Sequence, residues 1–364
     1  MGVVLREDSL ATLGAVHLGA MRQHDRKAVL LHRDGERWEE TPDWRLDRHV
    51  IRLGLYLRER AGVEPGQRVI IASPLRREWL LADLAAVVQG AVAVALDPGL
   101  ALPELALALT RAAPRAVFVS GEPMLDQLRR AWRDGGFPSL ASVISFDGPL
   151  DGAAALSEVL DLGGTLDTAE RAVAFRARAR EVTPTDCALE YVERSGDGSA
   201  SFGSLTHGEA VGYVRALWSG EPARKGDLAY VSGDAVSTGL RLALHAFAGD
   251  GTTTLAFGSA GQEDVEIAAL RPHKIVAPAS ALEAAMARDA ARGTGPSGLR
   301  GWLDHALTLI PLYRPRGGEE SRGALGGRAR WIRSTAALPA PAARLGRGTA
   351  IPSPGAEVLR GGVA

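Results

Sequence analysis

Cysteine, lysine and long apolar runs are what this 364-residue sequence has least of. Its single cysteine, Cys187, excludes an internal disulfide and any metal site built from several thiolates. The apolar stretch Cys187-Ala188-Leu189 makes a small buried hydrophobe the expected role for it. Lys27, Lys225 and Lys274 are the only lysines in a chain whose basic residues are otherwise arginine, so any chemistry that needs an ammonium group has three candidates. A formal net charge of −1 gives no electrostatic basis for nucleic acid or an anionic membrane as partner. No window approaches about twenty apolar residues without charge, so no transmembrane segment is expected. The N-terminus lacks a basic stretch leading into an apolar run and does not read as a signal peptide. The expectation is a soluble, cytoplasmic protein.

What is present is alternation. A hydrophobic share of 46% over this length suits one large domain or two smaller ones. Leu46, Val50, Leu53 and Leu57 recur at helical spacing, and Gly62 and Pro65-Gly66 stop that helix. Arg68 to Ala72 then reads as a buried strand, and Ser73-Pro74 opens a helix with Trp79, Leu80, Leu84, Val87 and Val88 on its apolar face. Ala91 to Ala95 is a second buried strand, Leu102 to Arg111 a third helix, and Ala116 to Val119 a third strand. Short apolar strands separated by helices imply βαβ units and a parallel sheet. From about Asp147 to Thr183 the composition turns to Gly, Ala and Asp, which predicts a connecting region. Beyond it come strands at Ala188–Val192, Leu228–Val231, Thr252–Ala256 and Lys274–Ala277, and a helix from Glu209 to Trp218. After Ala336 the pattern dissolves. The fold class is therefore α/β, with an N-terminal lobe over 1–180, a second lobe over 181–345 and an irregular tail over 346–364.

Several fragments occur in a telling order. Trp44, Leu46, Asp47 and Val50 are followed by Gly62-Val63, Pro65-Gly66 and Arg68-Val69. Then come Pro74, Glu78 and Trp79, and Gly90-Ala91-Val92 with Val94 and Leu96-Asp97-Pro98. Glu104-Leu105 and Ala116-Val117-Phe118-Val119 continue the series. In this order and spacing the stretch resembles the start of the AMP-binding, adenylate-forming acyl-CoA synthetases. Gly226-Asp227, Leu325-Gly326-Gly327-Arg328, Trp331-Ile332 and Leu338-Pro339 extend the resemblance more faintly, so that it covers about 30 to 345. It implies the large N-terminal domain of that family, two similar parallel-sheet α/β lobes, without the small C-terminal domain.

The resemblance also implies a phosphate loop, which in the family carries glycines, hydroxyls and a lysine around the ATP phosphates. The corresponding segment runs from Tyr191 to His207, and Arg194, Ser195, Gly196, Gly198, Thr206 and His207 are the candidate nucleotide-binding residues. The lysine's place falls at Ser201 or Phe202, and Glu193 and Asp197 put negative charge where phosphates would sit. Like unit charges 4 Å apart repel by about 4 kcal/mol at an effective dielectric of 20. The family's metal-binding glutamate segment and ribose motif have no counterpart, and Ile351 to Val358 resembles a later family stretch only faintly.

Thr206 is placed to cap the following helix, and a structural role is expected for His207. His245, His273 and His305 lack metal-ligand spacing, and Ser232-Gly233-Asp234 reads as a turn, so neither a catalytic triad nor a metal site is assigned. Two readings stay open besides a fragment of a longer reading frame. One is a catalytically impaired relative kept for binding a ligand or a protein partner. The other is an atypical, active carboxylate-adenylating ligase that uses Arg194 on the phosphates. ATP or AMP, with Mg²⁺, is the cofactor implied, and an acyl or aryl carboxylate the ligand.

Overall fold

A computed structural model describes residues 10–21, 26–35, 37–132, 139–194, 199–220, 222–291, 329 and 331–333. Sheet-forming runs appear where the sequence is continuously apolar. β3 (Arg68–Ala72), β4 (Val92–Leu96) and β5 (Ala116–Val119) are almost wholly buried, as parallel strands covered on both faces must be. With β6 (Ser142–Ser145), β7 (Ala154–Ala155), β8 (Cys187–Arg194) and β9 (Ala200–Thr206) they form a seven-stranded sheet in the order β7-β6-β5-β3-β4-β8-β9. Only the β8–β9 pair is antiparallel in it.

The second sheet has six strands in the order β13-β12-β10-β11-β1-β2. Its strands are β1 (Leu30–Asp34), β2 (Arg37–Thr41), β10 (Leu228–Val231), β11 (Thr254–Phe257), β12 (Lys274–Val276) and β13 (Trp331–Arg333). The hairpin β1–β2 enters it through parallel pairing of β1 with β11. The sheets therefore do not divide at residue 180. The β8–β9 hairpin completes the first sheet because β8 pairs with β4, while β1–β2 lies in the second.

Eleven helices are described. α1 (Leu13–Met21), α3 (Arg77–Val88), α8 (His207–Gly220) and α9 (Thr238–Gly249) share one apolar core with the facing sides of both sheets. α4 (Leu102–Ala112) and α5 (Gly121–Trp132) cover the other face of the first sheet. α10 (Glu263–Leu270) and α11 (Ala279–Ala291) cover the other face of the second. The result is a layered α-β-α-β-α arrangement, in which α3, buried on all sides from Trp79 to Val88, has no polar face to show over that stretch.

The Gly- and Ala-rich region after Asp147 is not a bare connection. It forms α6 (Leu156–Leu166) and α7 (Ala169–Arg178), which pack on α2 (Asp43–Glu59). Gly163 is what permits this, since a Cβ there would lie 2.2 Å from the carbonyl oxygen of Arg52. Gly163→Ala would otherwise be mildly stabilising in a helix. Here it is expected to destabilise by about 1–3 kcal/mol, because the obstruction is backbone rather than a movable side chain. Urea unfolding of the variant reads the sign directly. No described helix is long and apolar enough to cross a membrane.

Candidate functional site

In open parallel sheets the crevice for a ligand lies beyond the carboxyl ends of the strands, where neighbouring connections leave in opposite directions. The first sheet has such a point beside β3, whose chain continues to β4 on one side while β5 lies on the other. The second has one beside β10, flanked by β11 and β12. The segments that follow these strands face one another across a crevice of about 750 Å3. Pro74 to Glu78 line one wall, and Ser232, Gly233, Gly258, Ser259 and Pro278 the other.

The second wall is held by a carboxylate frame. Glu266, buried on α10, accepts from the Tyr230 hydroxyl at 2.8 Å and from the Ser259 amide at 2.9 Å. Burial and the Glu266 contact push the Tyr230 phenol far above its usual range, so it stays a neutral donor. The Ser232 hydroxyl donates to Glu263 at 3.1 Å. Position 258 admits only glycine, because a Cβ would fall 2.2 Å from the Tyr230 oxygen.

The β8–β9 hairpin opens at the same end. Arg194 closes β8 and is exposed; its amide donates to Asp97 Oδ2 at 3.3 Å and its guanidinium reaches Gly99 O at 3.5 Å. Glu193 and Asp234 join Asp97 around it. Burial first, then Asp234 and Asp97, raise the Glu193 carboxyl above its ordinary value. Burial also raises Asp234, with Asp97 adding to the effect against the Val236 amide and Arg194. Among the described residues, three carboxylates thus stand around the Arg194 guanidinium. Residues 195–198, which include Ser195, Gly196 and Gly198, lie outside the described residues.

The remaining candidates sit elsewhere. Thr206 ends β9, a strand-length of about 20 Å from the Arg194 end of the hairpin. Its amide and hydroxyl both donate to Glu209 Oε2, at 2.8 and 2.9 Å, and its Oγ1 faces the Glu209 amide at 3.2 Å. That is a reciprocal capping box on α8. His207 is fully buried, and its Nδ1 accepts from the Leu13 amide at 3.3 Å. The structure therefore brings neither Thr206 nor His207 to the open end of the hairpin. Of the lysines, Lys27 and Lys225 are exposed away from the crevice lining. Lys274 is buried between Asp227 and Asp250 at 3.4 and 3.7 Å. Beside the hairpin a second cleft, of about 620 Å3, holds Cys187 and the Arg68–Glu190 ion pair. Burial, then Glu190, push the Cys187 thiol up to about 11, which leaves it protonated and unreactive.

Sequence reasoning missed a polar group at the centre of the shared core. Asp83 on α3 pairs with Arg241 on α9 and has His245 Nε2 2.8 Å away, off the straight N–H···O line. His245 Nδ1 meets His17 Nε2 of α1 at 2.9 Å. Arg241 also donates to Glu190 O and Ala93 O, at 2.8 and 2.9 Å. The legible signal was an aspartate inside Leu80-Leu81-Ala82-Asp83-Leu84 and an Arg and His four apart in an otherwise apolar helix. Such residues are rarely buried unless paired.

Comparison with known proteins places this architecture. Residues 20–189 match the family described as AMP-binding enzyme. A fatty acyl CoA synthetase of Mycobacterium tuberculosis shares the fold with a TM-score of 0.63 at 16% identity, over 90% of this chain and 55% of that one. The anthranilate CoA ligase AuaEII, solved with anthranoyl-AMP, gives 0.64 at 16% identity over 90% and 55%. The N-terminal domain of FACL13 from Mycobacterium tuberculosis gives 0.64 at 16% over 93% and 74%. The chain thus spans about half the length of the first two. No curated protein sequence matches.

Proposed function

We propose, for a chain whose residues 20–189 match the AMP-binding enzyme family and whose fold is that of the FACL13 N-terminal domain, a role in binding an acyl or aryl carboxylate or its adenylate with little ATP-dependent activation. The observation that carries this reading is the charge at the open end of the β8–β9 hairpin. A triphosphate needs cations and inward-facing donors there. The described residues offer Arg194 against Asp97, Glu193 and Asp234, so they do not fit ATP phosphates with their Mg²⁺. Lost electrostatic groups of this kind typically cost about 2.7–4 kcal/mol each in a transition state. The wide crevice, with its ordered Glu266–Tyr230–Ser259 frame, remains available to a ligand that brings less negative charge.

ATP–pyrophosphate exchange over a panel of aliphatic and aromatic acids tests the catalytic half of the proposal, and no exchange is expected. Exchange that Arg194→Ala abolishes would establish the opposite reading, an active ligase with arginine in the lysine's role. A thermal-shift titration tests the binding half. A non-hydrolysable acyl-AMP analogue at a hundredfold excess over its Kd should stabilise the fold by about 2.7 kcal/mol, and ATP by less.

A further inference from the structure

A separate cleft, of about 370 Å3, lies beneath the β1–β2 hairpin, between α2, α3 and α6. That volume is within the range of small-molecule sites. Its floor is apolar: Leu46, Leu81, Phe146 and Leu156 are almost fully buried, and Leu160 is half-buried. Its mouth is basic. Arg45 and His49, one helical turn apart on α2, stand beside Arg77 of α3.

The charges in this cleft are unevenly used. Glu78, the carboxylate on α3, already accepts from Arg76 Nε at 2.7 Å and from Arg77 Nε at 2.6 Å. Glu39, on the exposed hairpin, is 3.6 Å from His32. Arg45 has no carboxylate partner among the described residues; its guanidinium only overlies the Trp44 ring at 5.5 Å. His49 has no hydrogen-bond partner among them, although it is half-buried. Burial and then Arg52, Arg45 and Arg77 lower its basicity, and no carboxylate acts in the other direction. A guanidinium and an imidazole left without anions at the rim of an apolar cleft form the complement of one kind of molecule.

We propose that this cleft binds a small amphipathic monoanion, with its single anionic head on Arg45 and His49 and its short apolar tail over Leu81, Phe146 and Leu156. The head gains a charge-assisted, two-pronged contact that a neutral molecule cannot make. The tail gains the burial of apolar surface against a floor already formed. The cleft is set apart from the inter-sheet crevice by the Arg77–Glu78 pair, which lines both. The inference does not depend on whether the crevice takes a nucleotide.

Calorimetric titration of the full chain with 1-octanesulfonate, octyl sulfate, 1-octanol and octylammonium tests it, neither anion being a carboxylate of the kind proposed for the inter-sheet crevice. Both anions should bind one to one, and the alcohol and the ammonium should bind at least tenfold more weakly. Arg45→Gln, at an exposed position that leaves folding unaffected, should weaken both anions tenfold or more. Leu160→Trp should block the cleft and remove binding from a chain that still unfolds cooperatively. Ser259→Trp, which obstructs the inter-sheet crevice instead, should leave 1-octanesulfonate binding unchanged. Octanol binding as tightly as 1-octanesulfonate, an unaffected Arg45→Gln, or loss of 1-octanesulfonate binding in Ser259→Trp would each overturn the proposal.

Discussion

Arg241→Ala is expected to lower the unfolding free energy by about 3–5 kcal/mol, enough to threaten the folded state. Asp83 is completely buried, and its carboxylate stays ionised only because Arg241 and His245 outweigh the burial that opposes ionisation, holding its pKa at about 2. Removing the guanidinium leaves that charge uncompensated. It also withdraws donors from Glu190 O and Ala93 O, two carbonyls of the first sheet reached by a helix that packs with the second. Asp83→Leu combined with Arg241→Met should recover part of the loss, since an apolar pair of similar size removes the stranded charge. Urea denaturation of the single and double variants measures both effects. A single variant within 1 kcal/mol of the parent would mean that the pair does not fasten the sheets together.

Acidification is expected to have an effect of similar size. Burial, then the His245 neighbour, push His17 well below its ordinary value against the pull of Asp83. Burial likewise lowers His207 to about 4, with Asp186 opposing and His245 adding to the shift. Both rings are neutral in the fold, whereas the unfolded chain protonates them near pH 6.5. The unfolded state therefore binds more protons between those values, and stability is complete above about pH 6.5 and lost as pH falls toward 4. For His207 alone the loss reaches about 2 kcal/mol by pH 5. The urea midpoint measured from pH 7.5 to 4.5 should fall steadily. His207→Gln, which keeps an acceptor for the Leu13 amide but cannot titrate, should flatten that slope. An unchanged slope in the variant would assign the acid sensitivity to another group.

The continuous apolar strands and the helices between them were legible in the sequence because burial on both faces leaves an unmistakable run of Val, Ile, Leu and Ala. β3, β4, β5, β8, β10 and β12 and helices α2, α3 and α4 fall within a few residues of their expected places. The hairpin β1–β2 was not legible. Leu30-Leu31-His32-Arg33-Asp34 and Arg37-Trp38-Glu39-Glu40-Thr41 are largely polar and exposed, and β2 is an edge strand with little to bury. α6 and α7 were hidden for a different reason. Gly163 and Gly164 weaken the helix signal locally, while their real service is a close crossing with α2 that only the fold displays.

The candidate site was legible in part. Arg194 and Glu193 were marked by their position in the phosphate-loop segment. Asp97 and Asp234 come from distant stretches and join them only through the pairing of β4 with β8 and the turn after β10. The central cluster of Asp83, Arg241, His245 and His17 is drawn from three helices, which no local pattern could have assembled.

The placement of the first hairpin bears on how the chain is made. Leu30 pairs with Leu255, 225 positions later, and the whole seven-stranded sheet is encoded between β2 and β10. At roughly 5–20 residues per second, about 10–45 s of synthesis separate β1 from its partner strand. The inserted sheet can be assembled in that interval while β1 and β2 wait. The polar, charge-rich faces that made the hairpin hard to recognise also keep an unpaired edge from recruiting other chains on the ribosome.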